Sequence, residues 1–299
     1  MEHDTTEGSE EGRSGLANWP RPLAFVLSGG GAFGSVQVGM LRALRDGGVQ
    51  PDLIVGASVG SLHGALVATG RPDAVEVLDD LWRGMTRRQL FGGPVTVARS
   101  LVRSRSLSSF DRLGGLIDLH LRATRFDELA IPFAAVATDA LNGEPELLRS
   151  GSIKPAVLAS SAIPGVFPPV DIDGRHYVDG GVAANVPIRQ AIAFGARSVI
   201  CLDATPPAAA SQLPGSLSGR LLHSASLMLR NQRSHAVEDL ASRYRIAVLP
   251  NSIPPDMGSF NFGHNDALLD DSHRMAAAAI AAWSDPAESA VSANDDRGR

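Results

Sequence analysis

The stretch Leu53-Ile54-Val55-Gly56-Ala57-Ser58-Val59-Gly60-Ser61-Leu62 changes character at a single residue. Ahead of Ser58 stand consecutive aliphatic side chains, the mark of a strand buried on both faces, and a strand is expected over 52–55. Behind it small and apolar residues recur at helical spacing, and a helix is expected over 61–69. A chain that passes from strand to helix within so few residues bends sharply. Glycines two positions to either side, Gly56 and Gly60, remove the Cβ groups that would collide there. The bend forces the serine into strained torsions and presents its hydroxyl at the carboxyl edge of a sheet. A helix N-terminus beside it favours developing negative charge. In a chain with 31 glycines a G-x-S-x-G string can arise by chance, so the strand-then-helix setting carries the weight.

Upstream, Ser28-Gly29-Gly30-Gly31-Ala32-Phe33-Gly34 follows a strand expected over 23–27 and precedes a helix over 36–44. One βαβ unit sets this turn beside that of Ser58. Successive glycines allow backbone N–H groups to face a concavity suited to an oxyanion or a phosphate. A rival reading is a dinucleotide loop, because Gly29, Gly31 and Gly34 spell G-x-G-x-x-G. Its ribose-binding acid is poorly matched, since Asp52 precedes its strand instead of ending it. Downstream, Asp179-Gly180-Gly181 closes a strand over 176–178 that leaves a hairpin turn at Asp173-Gly174. Standing alone, this would read as an Asp-Gly turn. To act as a base an aspartate, with a reference pKa of about 3.9, has to be desolvated and hydrogen-bonded to the serine.

Further strands are expected over 133–138, 146–148, 170–172, 198–202 and 246–249. Helices are expected over 73–82, 111–121, 155–160, 188–194, 218–240 and 271–283. This alternation argues for an α/β fold, a three-layer sandwich with a mostly parallel central sheet and helices on both faces. Residues 1–19, rich in acidic residues, Gly and Ser, are expected to be a disordered tail. Residues 20–284 are expected to form one domain and 285–299 a second disordered tail. The proline-rich break at 205–219 reads as a surface loop within the domain. The composition, 44% hydrophobic and 20% charged, is that of a globular protein. A net charge of -5 gives no basic field for nucleic acid. The lone Cys201, in the apolar run 198–202, reads as a buried structural thiol suited to a reducing compartment. Glu2, Asp4, Glu7, Glu10 and Glu11 oppose a signal peptide, so a cytoplasmic location is expected. No apolar run approaches the roughly 20 residues that span a bilayer, which leaves peripheral membrane contact. Metal-binding spacings are missing, and Asp79-Asp80 and Asp270-Asp271 read as solvated helix residues or caps.

The glycine triplet, the serine elbow and the downstream D-G-G, in that order, resemble the patatin-like phospholipase family. Two further stretches are similar to it: Ala159-Ser160-Ser161-Ala162-Ile163-Pro164-Gly165-Val166-Phe167-Pro168-Pro169 and Thr138-Asp139-Ala140-Leu141-Asn142-Gly143-Glu144. The resemblance implies a serine esterase without cofactor that cleaves acyl lipids. Ser58 would be nucleophile and Asp179 base, with oxyanion-hole amides from Gly29, Gly30 and Gly31 and with Gly56, Gly60, Gly180 and Gly181 as supporting turns. Phe33 stands where the family often carries Arg or Lys, and His63 where asparagine is common. About 500° of helical rotation from Ser58, His63 is expected to be a packing or solvent-facing residue. A histidine triad would draw on His223, His235, His264 or His273. The same residues would also suit acyl transfer to an alcohol, or a non-catalytic lipid-binding or regulatory protein on the same fold. The segments 90–95 and 260–262 could wall an acyl chain, and Arg87, Arg88, Arg99, Arg103 and Arg105 could meet anionic lipid or simply face solvent.

Overall fold

Leu23, Phe25 and Leu27 of the first strand pack into one hydrophobic cluster while Ala24 and Val26 pack into another. A strand buried on both faces has to be covered by helices on both sides. The computed structural model describes residues 18–86, 110–206, 217–254, 257 and 261–283. Residues 1–17 of the first expected tail, all of the second, most of the 205–219 loop, the segment 90–95, Phe260 and the five arginines from Arg87 to Arg105 lie outside these, whereas Trp19, expected in the first tail, is buried in the core against Trp283.

The strands are β1 (Leu23–Leu27), β2 (Leu53–Ala57), β3 (Phe133–Asp139), β4 (Pro145–Leu148), β5 (Val170–Ile172), β6 (Arg175–Asp179), β7 (Ser198–Leu202) and β8 (Arg245–Val248). Their order is β5-β6-β3-β2-β1-β7-β8, with β4 also on β3. The pairs β3·β2, β2·β1, β1·β7 and β7·β8 are parallel. The pairs β3·β4, β3·β6 and β5·β6 are antiparallel. The hairpin between β5 and β6 turns on Asp173 and Gly174, both at positive φ (53° and 81°), as a two-residue primed turn requires.

One face of the sheet carries α1 (Gly34–Asp46), α2 (Val59–Ala68), α3 (Ala74–Gly84), α4 (Asp111–His120), α5 (Ile153–Ser160) and α9 (Asn265–Trp283). The other carries α6 (Gly181–Ala184), α7 (Ile188–Ala193) and α8 (Leu217–Leu240). The architecture is the three-layer, mostly parallel sandwich that the alternating pattern implies. Helix α9 starts six residues before its expected position. Asn265 is buried there and donates its side-chain amide to the Trp82 carbonyl at 2.8 Å, pinning the added turn to α3. Of the acidic pairs, Asp80, Asp270 and Asp271 are solvated helix residues as expected, while Asp79 is mostly covered. Asp79 and Asp270 are joined by Arg42 and Arg83 in an ion-pair network across α1, α3 and α9. Cys201 is fully buried, and burial pushes its thiol pKa well up.

Strand β3 sets up the site. Ala135 and Val136 pair with β2 on one side and β4 on the other, while Ala137 and Thr138 pair with β4 and β6. A strand has two edges, so β2 and β6 share one of them, end to end. The carboxyl ends of both, at Ala57 and Asp179, therefore meet.

Candidate active site

Ser58 occupies φ 53°, ψ −125° between β2 and α2, a backbone state that costs a non-glycine residue about 1–3 kcal/mol. Its neighbours hold it there. The Ser58 N–H donates to both the hydroxyl (3.0 Å) and the carbonyl (3.1 Å) of Ser160. The Ser58 carbonyl accepts the Ser61 hydroxyl at 2.7 Å. A Cβ at Gly60 would stand 2.3 Å from the Leu27 carbonyl oxygen, so only glycine lets the elbow press against the end of β1.

Asp179 ends β6 with its backbone N–H on the Ala162 carbonyl (2.9 Å) and its carbonyl accepting the Thr138 hydroxyl (2.9 Å). A Cβ on the next residue, Gly180, would fall 2.0 Å from the Val136 carbonyl oxygen. Of the carboxylate oxygens, Oδ1 accepts the Gly181 N–H at 2.7 Å, while Oδ2 is buried without a hydrogen-bond partner. Desolvation raises the Asp179 pKa to about 6, opposed by the Ser58 hydroxyl and the Gly181 N–H. The Ser58 hydroxyl lines the same cavity as the carboxylate and favours its ionised form, while Oδ2 stays unbonded.

Ser160, at the end of α5, ties the two halves together. Besides holding Ser58, it donates its hydroxyl to the Val136 carbonyl (2.6 Å) and accepts the Gly180 N–H on its own carbonyl (3.1 Å). It thereby fills the gap in the ladder between β2 and β6. As one polar residue in a motif full of small ones, it stands out only once the strand ends are known to meet there.

The glycine turn lies over the same strand ends. Gly29 departs from its expected role, because its N–H donates to the Asn185 carbonyl at 3.0 Å and so anchors the loop. The N–H groups of Gly30 and Gly31 meet no acceptor among the described residues, with Gly31 at φ 58° turning the chain into α1. The Val59 N–H, first in α2, is a further donor that the sequence reading passed over. Phe33 is buried.

Of the two roles expected for it, packing or solvent-facing, His63 takes packing. It is buried and lines the same cavity as Ser58, with Nδ1 2.9 Å from the Gln37 side-chain oxygen and Nε2 accepting the Trp82 indole N–H at 2.7 Å. Gln37 in turn donates to the Ser28 and Leu202 carbonyls. Burial lowers the His63 pKa to about 3, so it stays neutral with both nitrogens engaged. Of the other histidines, His235 faces Glu238 at the surface, His273 bonds Asp46 at 2.9 Å and His264 is exposed. None of these three lines a cavity at Ser58, and the His223 side chain lies outside the described set.

Two cavities open from Ser58. The inner one, about 120 Å³, runs between α2, α3, α4 and α5 and is walled by groups such as Leu62, Leu66, Leu78, Leu113 and Ile117. The outer one, about 350 Å³, holds Asp179, the glycine turn, Asn185 and Thr205. Asn185 was missed because the expected helix began only at Ile188. Its signal is a lone polar residue in Gly181-Val182-Ala183-Ala184-Asn185-Val186-Pro187. Among the described residues no three His, Cys, Asp or Glu side chains converge as a metal site would require.

The fold and its strand ends define a three-layer α/β protein with a strained serine at an elbow and a buried aspartate beside it. Residues 25–192 match the family model for patatin-like phospholipases, and the chain belongs to that family. An uncharacterised NTE family protein of Mycobacterium tuberculosis (strain ATCC 25618 / H37Rv) is 34% identical over 170 residues, which are 56% of this chain and 44% of the relative. Patatin-like phospholipase domain-containing protein 7 of Mus musculus is 33% identical over 185 residues, 60% of this chain and 13% of the relative. The chain thus spans less than half the length of these relatives. VipD from Legionella pneumophila shares the fold at TM-score 0.51 and 15% identity, over 87% of this chain and 67% of the VipD chain.

Proposed function

We propose that the protein is a serine hydrolase of acyl-lipid carboxylic esters, with Ser58 as nucleophile and Asp179 as its base. The observation that carries this reading is a serine in a strained backbone state that lines one cavity with a buried carboxylate whose Oδ2 has no hydrogen-bond partner. Asp179 takes the Ser58 proton as Oγ attacks the ester carbonyl, and the Gly30 and Gly31 N–H groups receive the oxyanion. The alcohol departs with that proton and leaves an acyl-serine. Water, deprotonated by the same carboxylate, then cleaves the acyl-serine and releases the fatty acid. Loss of one oxyanion donor in such a site costs about 3 kcal/mol. The inner cavity would take the acyl chain. No helix among the described residues is long and apolar enough to cross a membrane, so lipid would be reached from a membrane surface.

The test is turnover of a medium-chain p-nitrophenyl ester and of phospholipid vesicles by the protein and its folded Ser58→Ala and Asp179→Asn variants. Loss of activity in both is expected. Activity that survives Asp179→Asn and disappears with a histidine substitution would replace the dyad by a triad. Absence of turnover in every protein would sink the hydrolase reading.

A further inference from the structure

The two cavities that meet at Ser58 differ in chemistry, and the difference bears on which half of an ester each accepts. The inner one is apolar apart from Ser58, Ser161, the engaged His63 and His120, which suits a hydrocarbon chain. The outer one holds Asp179 and so is where the alcohol leaves. Its apolar walls include Phe33, Ile163, Val182 and Met228, and among the described residues its polar side chains other than Ser58 and Asp179 are the uncharged Asn185, Thr205 and Gln232.

These polar groups are arranged. The Asn185 amide donates to the Thr205 hydroxyl oxygen at 3.1 Å, which leaves the Thr205 proton available. Asn185 Oδ1 lies 2.5 Å, and Ser58 Cβ 3.3 Å, from the point a Gly29 Cβ would occupy, so an acceptor stands close to the nucleophile. The Asn185 backbone is held at both ends, its N–H by Gln232 (3.2 Å) and its carbonyl by Gly29 (3.0 Å). An acceptor and a donor fixed in this way match an alcohol that carries further hydroxyls.

The charges nearby disfavour an anion. Asp179 is a carboxylate once ionised. Among the described residues the cavity is lined by no Lys or Arg, and Arg233, next to Gln232 in the chain, is held by the fully buried Asp203 at 2.5 Å. A phosphate placed there would face a carboxylate across a low-dielectric space.

Resting on the hydrolase reading above, we infer that the outer cavity selects an uncharged, hydroxyl-bearing alcohol, so that the preferred substrates are neutral acylglycerols and not phosphate-bearing lipids. The test uses one acyl chain on three alcohols in the same non-ionic detergent micelles: p-nitrophenol, glycerol and glycerol phosphate. Expected is a kcat/KM at least about tenfold higher for the glycerol ester than for the glycerol phosphate ester. The Thr205→Val variant is expected to lower the ratio of glycerol ester to p-nitrophenyl ester turnover by about three- to tenfold. A glycerol phosphate ester cleaved as fast as the glycerol ester overturns the inference, and so does a Thr205→Val variant that slows every ester alike. In either case turnover of the p-nitrophenyl ester leaves the hydrolase reading standing. Failure of that ester to turn over at all overturns both.

Discussion

Replacing Asp179 by asparagine should stabilise the protein at the pH where it would abolish activity. Burial lifts the Asp179 pKa from 3.8 to about 6, and each unit of such a shift is worth about 1.4 kcal/mol. The ionised carboxylate therefore destabilises the fold by about 3 kcal/mol. The direction with pH follows from the raised value. Below 3.8 the group is protonated in both folded and unfolded chains and the penalty is absent. It grows as pH rises from 3.8 to about 6 and is complete above that. Asparagine keeps the acceptor for the Gly181 N–H and carries no charge. Its NH₂ takes the place of an Oδ2 that already lacks a partner, and any loss of about 1–3 kcal/mol from that unpaired amide is the same at every pH. The quantity to measure is the difference in unfolding free energy between Asp179→Asn and the parent, by urea titration at intervals from about pH 4 to about pH 8. That difference should shift in favour of the variant by about 3 kcal/mol across the range. A difference flat in pH would show that Asp179 does not carry a buried charge, and the proposed base would lose its physical footing.

Because the base must be ionised, kcat/KM for a neutral ester should rise with pH and level off above about 6; a midpoint near 7 that disappears on substituting a histidine would contradict this. Ser160→Ala removes the hydroxyl that bonds Ser58 and Val136. Steady-state kinetics should show kcat reduced about tenfold or more with KM little changed, and Ser160→Thr should restore much of it. Trp82→Phe leaves buried His63 Nε2 without its donor, which should cost about 1–3 kcal/mol of stability in a denaturant titration.

The strands were the most legible part of the sequence. Runs such as 199–202 and 23–27 are apolar throughout and bounded by polar or turn residues, and burial on both faces leaves them no periodicity to misread. Helix ends were less legible where tertiary bonds decide them. Asn265 extends α9 through a contact with Trp82, more than 180 positions away in the chain, and no local pattern records that. At the site, Ser58, Asp179 and the glycine turn carry local signatures because each sits on a tight turn with its own glycines. Thr205 carries none, and Asn185 and Ser160 carry only a weak one as polar residues in small-residue stretches, since their roles arise only where strand ends converge. His63 was read as a packing or solvent-facing residue, and it packs, buried against Trp82. Rotation about the α2 axis does turn it from Ser58, yet the cavity curves around that helix and reaches both.

The register of β3 explains why the strain falls on Ser58 and not on a neighbour. In the parallel pairing of β2 with β3, Gly56 stands opposite Ala135 and Ala57 opposite Val136. One more rung would bring Ser58 opposite Ala137, but Asp179 of β6 already occupies that place on the same edge. The chain has to leave the sheet at Ser58, and it does so at φ 53°. Elbow and carboxylate are consequences of a single competition for one rung, so their proximity is set by backbone register and not by side-chain flexibility. A slip of β6 by one residue would send the Asp179 side chain to the opposite face of the sheet. The contacts that fix that register, the Thr138 hydroxyl on the Asp179 carbonyl and the Gly180 N–H on Ser160, therefore hold the pair at least as firmly as any bond between the two side chains.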